Sequence, residues 1–584
     1  MLGHGQGAIV VSEPLFTLAV IADTHMRAPD GDLSSPYSVN AKANDRAAVA
    51  VDLIHAQNPV LTIHLGDMVH ALPHMEEYDA ACEEAQRILS GLHPTLHFVP
   101  GNHDIGDKPL EASPANVVTQ QTAARYSDHF GAQWHHVDHG DCRFVMINAS
   151  IVNSGLPAEE EQFAWLEKIV QTEQRVFLFT HYPPFIDTPD EDEHYDNYGE
   201  PGRSRVIEIA RKYKIEAVLS GHVHQFFFNR VEDTKYYCLP STSFVRQDYS
   251  ELYNVAPDTD FGRNDLGKFG VTLIDVYEDG HKLRFLPTGG AESSAVVDLS
   301  LRKPAAKTEL TPFMRHAWYQ SRDLPYSGAK EEFGRKRARN DYPLLRLWQM
   351  GIETVRTPLV DLAHAESRRR VQDFASTGIR FHMFTTSMPS AAVLQLIADN
   401  AQVLSALEVV QVDEDLTRVK AIAKAFLKVT DVPIYVSRPG SSADEVIVGR
   451  MFSHNVWTGY RYANRAEVLD ALADTSLPLR PIFAVAWRAD WVGKIGGMQA
   501  EFAKRGIQGA AAVQLMTGNP ETANFDEEYI EEGVLELMRN RDAFPLVSLM
   551  LDTFETFDRG FNPRAGLIDR VGNLTAAGRA LTKL

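Results

Sequence analysis

The sequence has few cysteines and no long apolar run. Its three cysteines, Cys82, Cys142 and Cys238, are widely spaced and form no C-x-x-C pair, so neither a disulfide framework nor a thiolate metal site is expected. No stretch reaches the roughly 20 apolar residues of a membrane-spanning helix, and the N-terminal segment lacks the basic start of a signal peptide. These absences predict a soluble cytoplasmic protein with free thiols and no membrane partner.

Basic charge is also scarce. The 57 Lys and Arg residues stand against 78 Asp and Glu residues, which gives a formal net charge of −21. Because non-specific binding of a nucleic acid polymer requires a basic face, no such partner is expected. A small anionic substrate is compatible with the acidic chain, since bound metal ions would dominate the field at their site.

The length of 584 residues is too great for one core, because domains usually hold roughly 100–200 residues. Strand and helix patterns alternate up to about residue 287, change to a Gly- and Pro-containing stretch, and resume near 343. We therefore predict a first domain at 1–287, a connector at 288–342 and a second domain at 343–584. The basic cluster at 335–339 is interpreted as a solvated face of the connector, with anion binding as the alternative.

The second half alternates eight predicted strands with helices. The predicted strands are 352–357, 379–386, 406–412, 432–438, 455–459, 479–487, 507–515 and 544–551. This count over about 240 residues matches a (β/α)8 barrel, and an open doubly wound sheet is the alternative.

The first half carries its chemistry at the ends of predicted strands. In α/β sheets, ligands gather at the carboxyl ends of the strands. Five such ends deliver polar motifs: Asp23-Thr24-His25, Gly66-Asp67, Gly101-Asn102-His103-Asp104, His181 and Gly221-His222-Val223-His224. Imidazole, carboxylate and amide oxygen are ligands for Fe, Mn or Zn, and a carboxylate can bridge two ions that together clamp a phosphoryl group. Each motif is weak alone, but the set in this order predicts a metal site.

These motifs resemble those of the calcineurin-like metallophosphoesterase superfamily, over about residues 15–285. The resemblance implies a four-layer αββα sandwich, two divalent transition-metal ions and an anionic phosphoester substrate. It implies that Asp23, His25 and His224 bind the first ion and that Asn102, His181 and His222 bind the second. Asp67 would bridge the two ions. His103 would bind no metal but would contact the phosphoryl oxygen or protonate the leaving group. A metal-bound hydroxide would then attack phosphorus in line.

The segment Ser154-Gly155-Leu156, followed by Gln162 and Trp165, resembles the cyclic-nucleotide and glycerophosphodiester phosphodiesterase branch, so phosphodiesters are the expected substrates. That branch often has two histidines before Pro-Pro, where this chain has His181 and Tyr182. Arg27, His70, Arg246 and Arg263 are candidates to contact substrate oxygens, with a structural role as the alternative for each. The acidic stretch 187–201 either covers the substrate or is a solvated loop.

The segment 552–569 resembles the last strand and tail of many glycoside hydrolase barrels. Predicted strands four and seven, however, end in Ser437-Arg438 and Gln514-Leu515, without the carboxylates that a retaining glycosidase needs. This argues against a catalytic glycosidase, and a sugar-binding barrel and a purely structural barrel are the alternatives. One alternative function is a phosphomonoesterase whose glycosylated substrate is recognised by the barrel. Another is a protein without enzymatic activity, in which the barrel is an interaction platform and the phosphoesterase is vestigial.

Overall fold

The computed structural model describes residues 13–583, except for 94, 111–115, 254, 300–304, 306, 326–335, 442–454, 487–489, 516–526 and 557–564. The chain divides into two compact units. The first comprises Met1–Pro304 and Ser321–Leu345, and the second comprises Ala305–Gln320 and Arg346–Leu584. The residues predicted as a connector, 288–342, are thus shared between the two units.

Two mixed sheets form the centre of the first unit. Their strands are β1 (Phe16–Ile21), β2 (Leu61–His64), β3 (Leu96–Phe98), β4 (His135–His139), β5 (Cys142–Met146), β6 (Arg175–Thr180), β7 (Ala217–Ser220), β8 (Phe227–Val231), β9 (Thr234–Cys238), β10 (Gly270–Tyr277) and β11 (Gly280–Pro287). The first sheet has the order β11-β10-β1-β2-β3 and the second β4-β5-β6-β7-β9-β8. Because β1, β2 and β3 are parallel, as are β5, β6, β7 and β9, their carboxyl ends meet at common edges.

The helices of this unit are α1 (Ala43–Gln57), α2 (Tyr78–Leu89), α3 (Asn102–Ile105), α4 (Gln120–Phe130), α5 (Pro157–Ile169) and α6 (Gly202–Lys212). Local signals set their ends. Asn58 ends α1 in the left-handed conformation, with φ 49°. The hydroxyl of Thr119 accepts a hydrogen bond from the backbone N–H of Thr122 at the start of α4.

The layers follow from the two main cores. Residues of α1, α2 and α4 share one core with the first sheet, and residues of α5 and α6 share another with the second. Between the sheets, the ring centroids of Phe16 and Phe144 lie 6.2 Å apart, and those of Phe177 and His281 lie 5.3 Å apart. The first unit therefore has the predicted αββα order.

The chain next forms β12 (Leu310–Pro312) in the second unit, then the antiparallel pair β13 (Arg322–Asp323) and β14 (Arg337–Ala338) in the first. This part corrects the interpretation of the basic cluster. Lys336 and Arg339 are each only 2% exposed. Their charges are compensated by ion pairs with Asp196 and Asp187 of the acidic stretch, at 2.7 and 2.6 Å respectively. Arg335 lies outside the described residues.

The second unit contains a parallel sheet of eight strands that nearly closes into a barrel. Besides β12, they are β15 (Thr354–Pro358), β16 (Arg380–Thr385), β17 (Leu404–Val410), β18 (Ile434–Ser437), β22 (Leu479–Val485), β23 (Gly509–Gln514) and β24 (Val547–Asp552), in the order β12-β24-β23-β22-β18-β17-β16-β15. Parallel bridges between Thr308 and Ile352 and between Phe313 and Arg356 bring the two ends together. The architecture is consistent with the predicted (β/α)8 barrel.

One predicted barrel strand was wrong. The stretch 455–459 forms β20 (Asn455–Thr458), which pairs antiparallel with β19 (Pro439–Ser441) outside the barrel, and is followed by β21 (Tyr460–Arg461), which pairs with β22. Its place among the eight is taken by β12. The helices are α7 (Tyr342–Gln349), α8 (Val360–Ala363), α9 (Ala365–Ala375), α10 (Ala391–Asp399), α11 (Thr417–Phe426), α12 (Arg465–Ala473), α13 (Trp491–Arg505), α14 (Glu527–Arg539) and α15 (Ala576–Leu581).

Within the described residues, none of the helices combines the length and the apolar character that crossing a bilayer requires.

Candidate metal centre

Three of the predicted ligands, Asp23, His25 and His224, meet at one place. The Nε2 atoms of His25 and His224 lie 3.2 Å apart, and the Nε2 of His224 lies 3.4 Å from Oδ1 of Asp23. All three residues are buried. The arrangement offers two nitrogens and one carboxylate oxygen to a single cation.

A second group joins Asn102, His181 and His222. The Oδ1 of Asn102 lies 3.0 Å from Nε2 of His181 and 3.0 Å from Nδ1 of His222. Those two ring nitrogens are 3.3 Å apart. The Nδ1 of His181 donates to the carbonyl of Leu65 at 2.8 Å, so Nε2 carries the lone pair of the neutral ring.

Asp67 lies between the two groups. Its Oδ2 is 3.6 Å from Nε2 of His25, and its Oδ1 is 3.4 Å from Nε2 of His181. The Oδ1 also accepts a hydrogen bond from the backbone N–H of His103 at 2.8 Å. One carboxylate therefore faces both sets of nitrogens.

His103 lies beside this cluster without entering either group of three. Its Nδ1 is 2.7 Å from the carbonyl oxygen of His70, to which it donates. Its ring meets that of His25 edge-on, with the centroids 4.7 Å apart. His25, His70 and His103 form a further set of nitrogens within 4.8 Å of one another, and His70 therefore also borders the centre.

Charge coupling in the centre is strong. Burial opposes the charged form of His181, but the Asp67 carboxylate outweighs it and raises the pKa of His181 to about 9. Burial likewise opposes ionisation of Asp67, yet the charges of His181 and His103 hold its pKa well below the usual range. Burial lowers the pKa of His222 to about 4 and that of His25 well below its usual value. The centre thus favours positive charge next to Asp67 and neutral rings elsewhere.

The backbone at the strand ends is strained. Five of the predicted ligands have a positive φ: Asp23 (53°), His25 (46°), Asp67 (55°), His222 (66°) and His224 (55°). Residues other than glycine seldom adopt this conformation, and such residues cluster at functional sites. The strand ends therefore turn their side chains toward a common point at a conformational cost.

Gly101 is needed because there is no space for a side chain beside Asp67. A Cβ on Gly101 would lie 2.1 Å from the backbone nitrogen of Asp67 and 2.3 Å from its Oδ1. Any other residue would push Asp67 away from both groups of ligands.

Two buried side chains behind the centre were not assigned from the sequence. The carboxylate of Asp104 accepts the backbone N–H groups of Asp67 and Gly101, at 2.7 and 2.8 Å. His64 lies 2.9 Å from the hydroxyl of Thr24 through Nε2, and its Nδ1 accepts the N–H of Gly66. Asp104 stands in the predicted Gly-Asn-His-Asp motif, whereas nothing in the sequence around His64 indicated its role.

The acidic stretch supplies a third unassigned residue, Asp196. Its Oδ1 lies 3.4 Å from Nε2 of His222, on the side of the ring opposite to Asn102. Asp196 is held by Arg246, by Lys336 at 2.7 Å and by the hydroxyl of Tyr249 at 2.8 Å. Arg246, a candidate for substrate contact, thus pairs with Asp196 and Asp248. Carboxylates commonly orient the distal nitrogen of a metal-binding histidine.

Tyr195 of the same stretch reaches the centre directly. Its hydroxyl accepts a hydrogen bond from Nδ2 of Asn102 at 3.2 Å, which turns Oδ1 of Asn102 toward the histidines. Its ring lies 5.0 Å from that of His222. Part of the stretch 187–201 therefore forms a wall of the centre.

The candidate ligands lie at the strand ends of two packed sheets, and the carboxylate of Asp67 faces both sets of nitrogens. Residues 16–226 match the family model of the calcineurin-like phosphoesterases, and this part of the chain is a domain of that kind.

Two relatives are serine/threonine-protein phosphatases named CPPED1. The zebrafish (Danio rerio) protein is 32% identical over 29% of this chain and 54% of its own length. The mouse (Mus musculus) protein is 28% identical over 30% of this chain and 57% of its own. The chain thus spans just over half the length of these relatives. Among solved structures, GAP50, the anchor in the inner membrane complex of Plasmodium, matches with 10% identity and a TM-score of 0.30, over 47% of this chain and 84% of that one.

Proposed function

We propose that the chain hydrolyses phosphoric esters with two divalent metal ions at the centre described above. Asp23, His25 and His224 would hold one ion, Asn102, His181 and His222 the other, and Asp67 would bridge them. The observation that carries this proposal is the position of Asp67, whose two oxygens face the two sets of nitrogens.

The donor set fits such ions. The Nδ1 of His181 donates to a carbonyl, so the lone pair of Nε2 points at the lone pairs of Asn102 Oδ1, 3.0 Å away. His224 is arranged in the same way, because its Nδ1 donates to the carbonyl of Phe244 at 2.8 Å and its Nε2 faces His25. A proton or a metal ion between such facing atoms removes the repulsion of their lone pairs, and the raised pKa of His181 reflects the same demand for positive charge at this place.

Each side chain has a task in this proposal. Bound dications would supply positive charge at the phosphoryl oxygens and an activated water for in-line attack. Asp67 would hold the two ions at a fixed spacing. His103, fixed through Nδ1 by the His70 carbonyl, would present Nε2 to the phosphoryl oxygen or to the leaving group.

Two substrate classes are proposed. Phosphodiesters are expected from the resemblance of Ser154–Leu156 and Gln162 to the phosphodiesterase branch. Phosphomonoesters are favoured by the printed name of the relatives, which are protein phosphatases. Parallel assays with 4-nitrophenyl phosphate and bis(4-nitrophenyl) phosphate separate the two classes.

The barrel offers a candidate site for a glycosylated monoester. A cavity of about 530 Å³ lies beyond the carboxyl ends of β17 and β18, lined by residues that include Gln411, Arg438, Trp457 and Glu467. Barrel ligands bind at this end. If the barrel binds the sugar, Arg438→Ala in the full chain lowers the ratio of kcat/KM for glucose 6-phosphate to that for 4-nitrophenyl phosphate. An unchanged ratio contradicts this second candidate.

The main test uses Asp67→Asn, which keeps the size of the side chain and removes its charge. We expect it to reduce the metal content, measured by mass spectrometry after dialysis, and to lower kcat at least about 100-fold. Asp192→Asn, an exposed carboxylate of the acidic stretch, is the matched control and should retain both properties. Full turnover by metal-free Asp67→Asn protein would exclude the proposed function.

A further inference from the structure

A group of basic side chains borders the centre on the His103 side. The segments after β1 and β2 run side by side: the N–H of Met26 donates to Met68 O, and the N–H of His70 donates to Met26 O, both at 2.8 Å. Arg27 and His70 therefore lie next to each other, directly beyond His25 and Asp67. The His70 ring centroid is 5.6 Å from that of His25 and 5.5 Å from that of His103.

Arg263 joins this group through Asn40. The Nε of Arg27 donates to the carbonyl of Asn40 at 3.2 Å, and Nη2 of Arg263 donates to its Oδ1 at 3.1 Å. The Arg263 guanidinium also lies 4.4 Å from the ring centroid of Phe244, which itself stacks on His25 at 5.0 Å. Arg27, His70 and Arg263 are called the basic wall below; burial and the neighbouring charges of His103, Arg27 and Arg263 lower the pKa of His70 to about 3, so the two guanidinium groups supply the positive charge of the wall.

Among the described residues, no carboxylate lies within hydrogen-bonding distance of the Arg27 guanidinium. Both hydrogen bonds from the Arg27 guanidinium go to carbonyl oxygens, those of Asn40 and Asp32. Its Nη2 and the Nδ1 of His70 are buried and have no hydrogen-bond partner among the described residues. The carboxylates of Asp32 and Glu77 act on Arg27 only over longer distances. Buried polar atoms without partners are costly, and a ligand that binds there is one explanation for them.

The position of the wall indicates which part of a substrate it would meet. The His70 ring packs against both His103 and His25, so the wall borders the centre beside His103. In the proposed function His103 faces the phosphoryl oxygen or the leaving group, so a leaving group on its side would lie next to the wall.

We propose that the basic wall is a second anion subsite that binds a carboxylate or phosphate on the leaving group of the substrate. This inference rests on the proposed function and narrows it to phosphoesters whose alcohol part is itself anionic. Charge-assisted hydrogen bonds from guanidinium groups to such an anion are strong and directional.

The test compares phenyl phosphate with 2-carboxyphenyl phosphate, or the methyl diesters of both if diesters are the substrate class. The full chain loaded with Mn²⁺ should show a kcat/KM for the carboxylated ester about tenfold higher, chiefly through KM. Arg27→Gln should reduce this ratio about tenfold, and His70→Gln should reduce it less. Arg211→Gln, which removes an exposed guanidinium of α6, should leave the ratio unchanged.

Binding gives a second readout without turnover. In calorimetry, 2-carboxybenzylphosphonate should bind more tightly than benzylphosphonate to the unsubstituted chain and equally to Arg27→Gln. Equal kcat/KM for the two esters, or equal affinity for the two phosphonates, in the unsubstituted chain overturns the subsite. Failure to hydrolyse either ester with any metal ion, while the phosphonates still differ, contradicts the proposed function and leaves the subsite supported.

Discussion

At the scale of single residues, the strand ends made the centre predictable. A polar residue directly after a buried parallel strand lies at the carboxyl edge of the sheet. The positions of Asp23, Asp67 and His181 could therefore be predicted from the pattern alone. The structure brings all eight nominated side chains together, and their roles toward metal stay predictions. Asp196 could not be found in this way, because it lies in an irregular stretch whose path depends on distant cations such as Lys336.

Asp196 is expected to act as a positioning residue for His222. Asp196→Asn removes the charge that faces Nε2 of His222 and should weaken metal binding about 10- to 100-fold, as loss of such partners commonly does. Competition between the protein and a chromogenic chelator for Zn²⁺ measures this. Because Arg246 and Lys336 also lose a partner, thermal stability is measured in parallel. Reduced stability with unchanged zinc affinity would show a purely structural role.

At the scale of secondary structure elements, an ion-pair cluster links the two sheets of the first unit. Glu216, just before β7, binds Arg175 of β6 through two oxygens, at 2.6 and 2.8 Å, and His281 of β11 at 2.6 Å. Arg175 also donates to the carbonyl of Gly280 at 2.7 Å. The cluster therefore ties strands of the second sheet to β11 of the first.

This cluster predicts a dependence of stability on pH. Burial opposes ionisation of Glu216, but His281 and Arg175 lower its pKa from 4.5 to about 2. A carboxyl group with a lowered folded-state pKa stabilises the fold above pH 4.5 and loses this contribution as the pH falls toward 2. Glu216→Gln should cost about 2 kcal/mol at pH 7, and urea denaturation should show the difference shrinking below pH 4. A difference independent of pH would contradict the assignment.

Element prediction failed where a strand was too short to carry a pattern. β12 has three residues and ends in Pro312, so neither alternation nor a long apolar run marks it. The stretch 455–459 looked more like a barrel strand, yet its backbone pairs with β19. The longer strands of the barrel, such as β17 and β23, have almost entirely buried residues, and their apolar runs made them predictable.

The place of β12 in the barrel can be tested by a cavity mutation. Leu310 is 2% exposed, so Leu310→Ala should destabilise the second unit by about 2–4 kcal/mol. Leu427→Ala, at a position 38% exposed, is the control and should cost under about 1 kcal/mol. Equal effects in urea denaturation would indicate that residues 310–312 are a linker and not a barrel strand.

At the scale of the whole molecule, the division into two compact units predicts how metal acts on stability. All the proposed ligands belong to the first unit and none to the second. An ion that binds only the folded state stabilises it by about 4 kcal/mol at a concentration 1,000 times its Kd. Metal should therefore raise the Tm of one calorimetric transition and leave that of a second transition unchanged, and chelation should reverse the rise.

Asp67→Asn should abolish the response, because one of its carboxylate oxygens faces each set of histidine nitrogens. If both transitions shifted equally with metal, or if Asp67→Asn protein responded as strongly as the unsubstituted chain, the ions would be binding somewhere other than the centre built on the strand ends of the first unit.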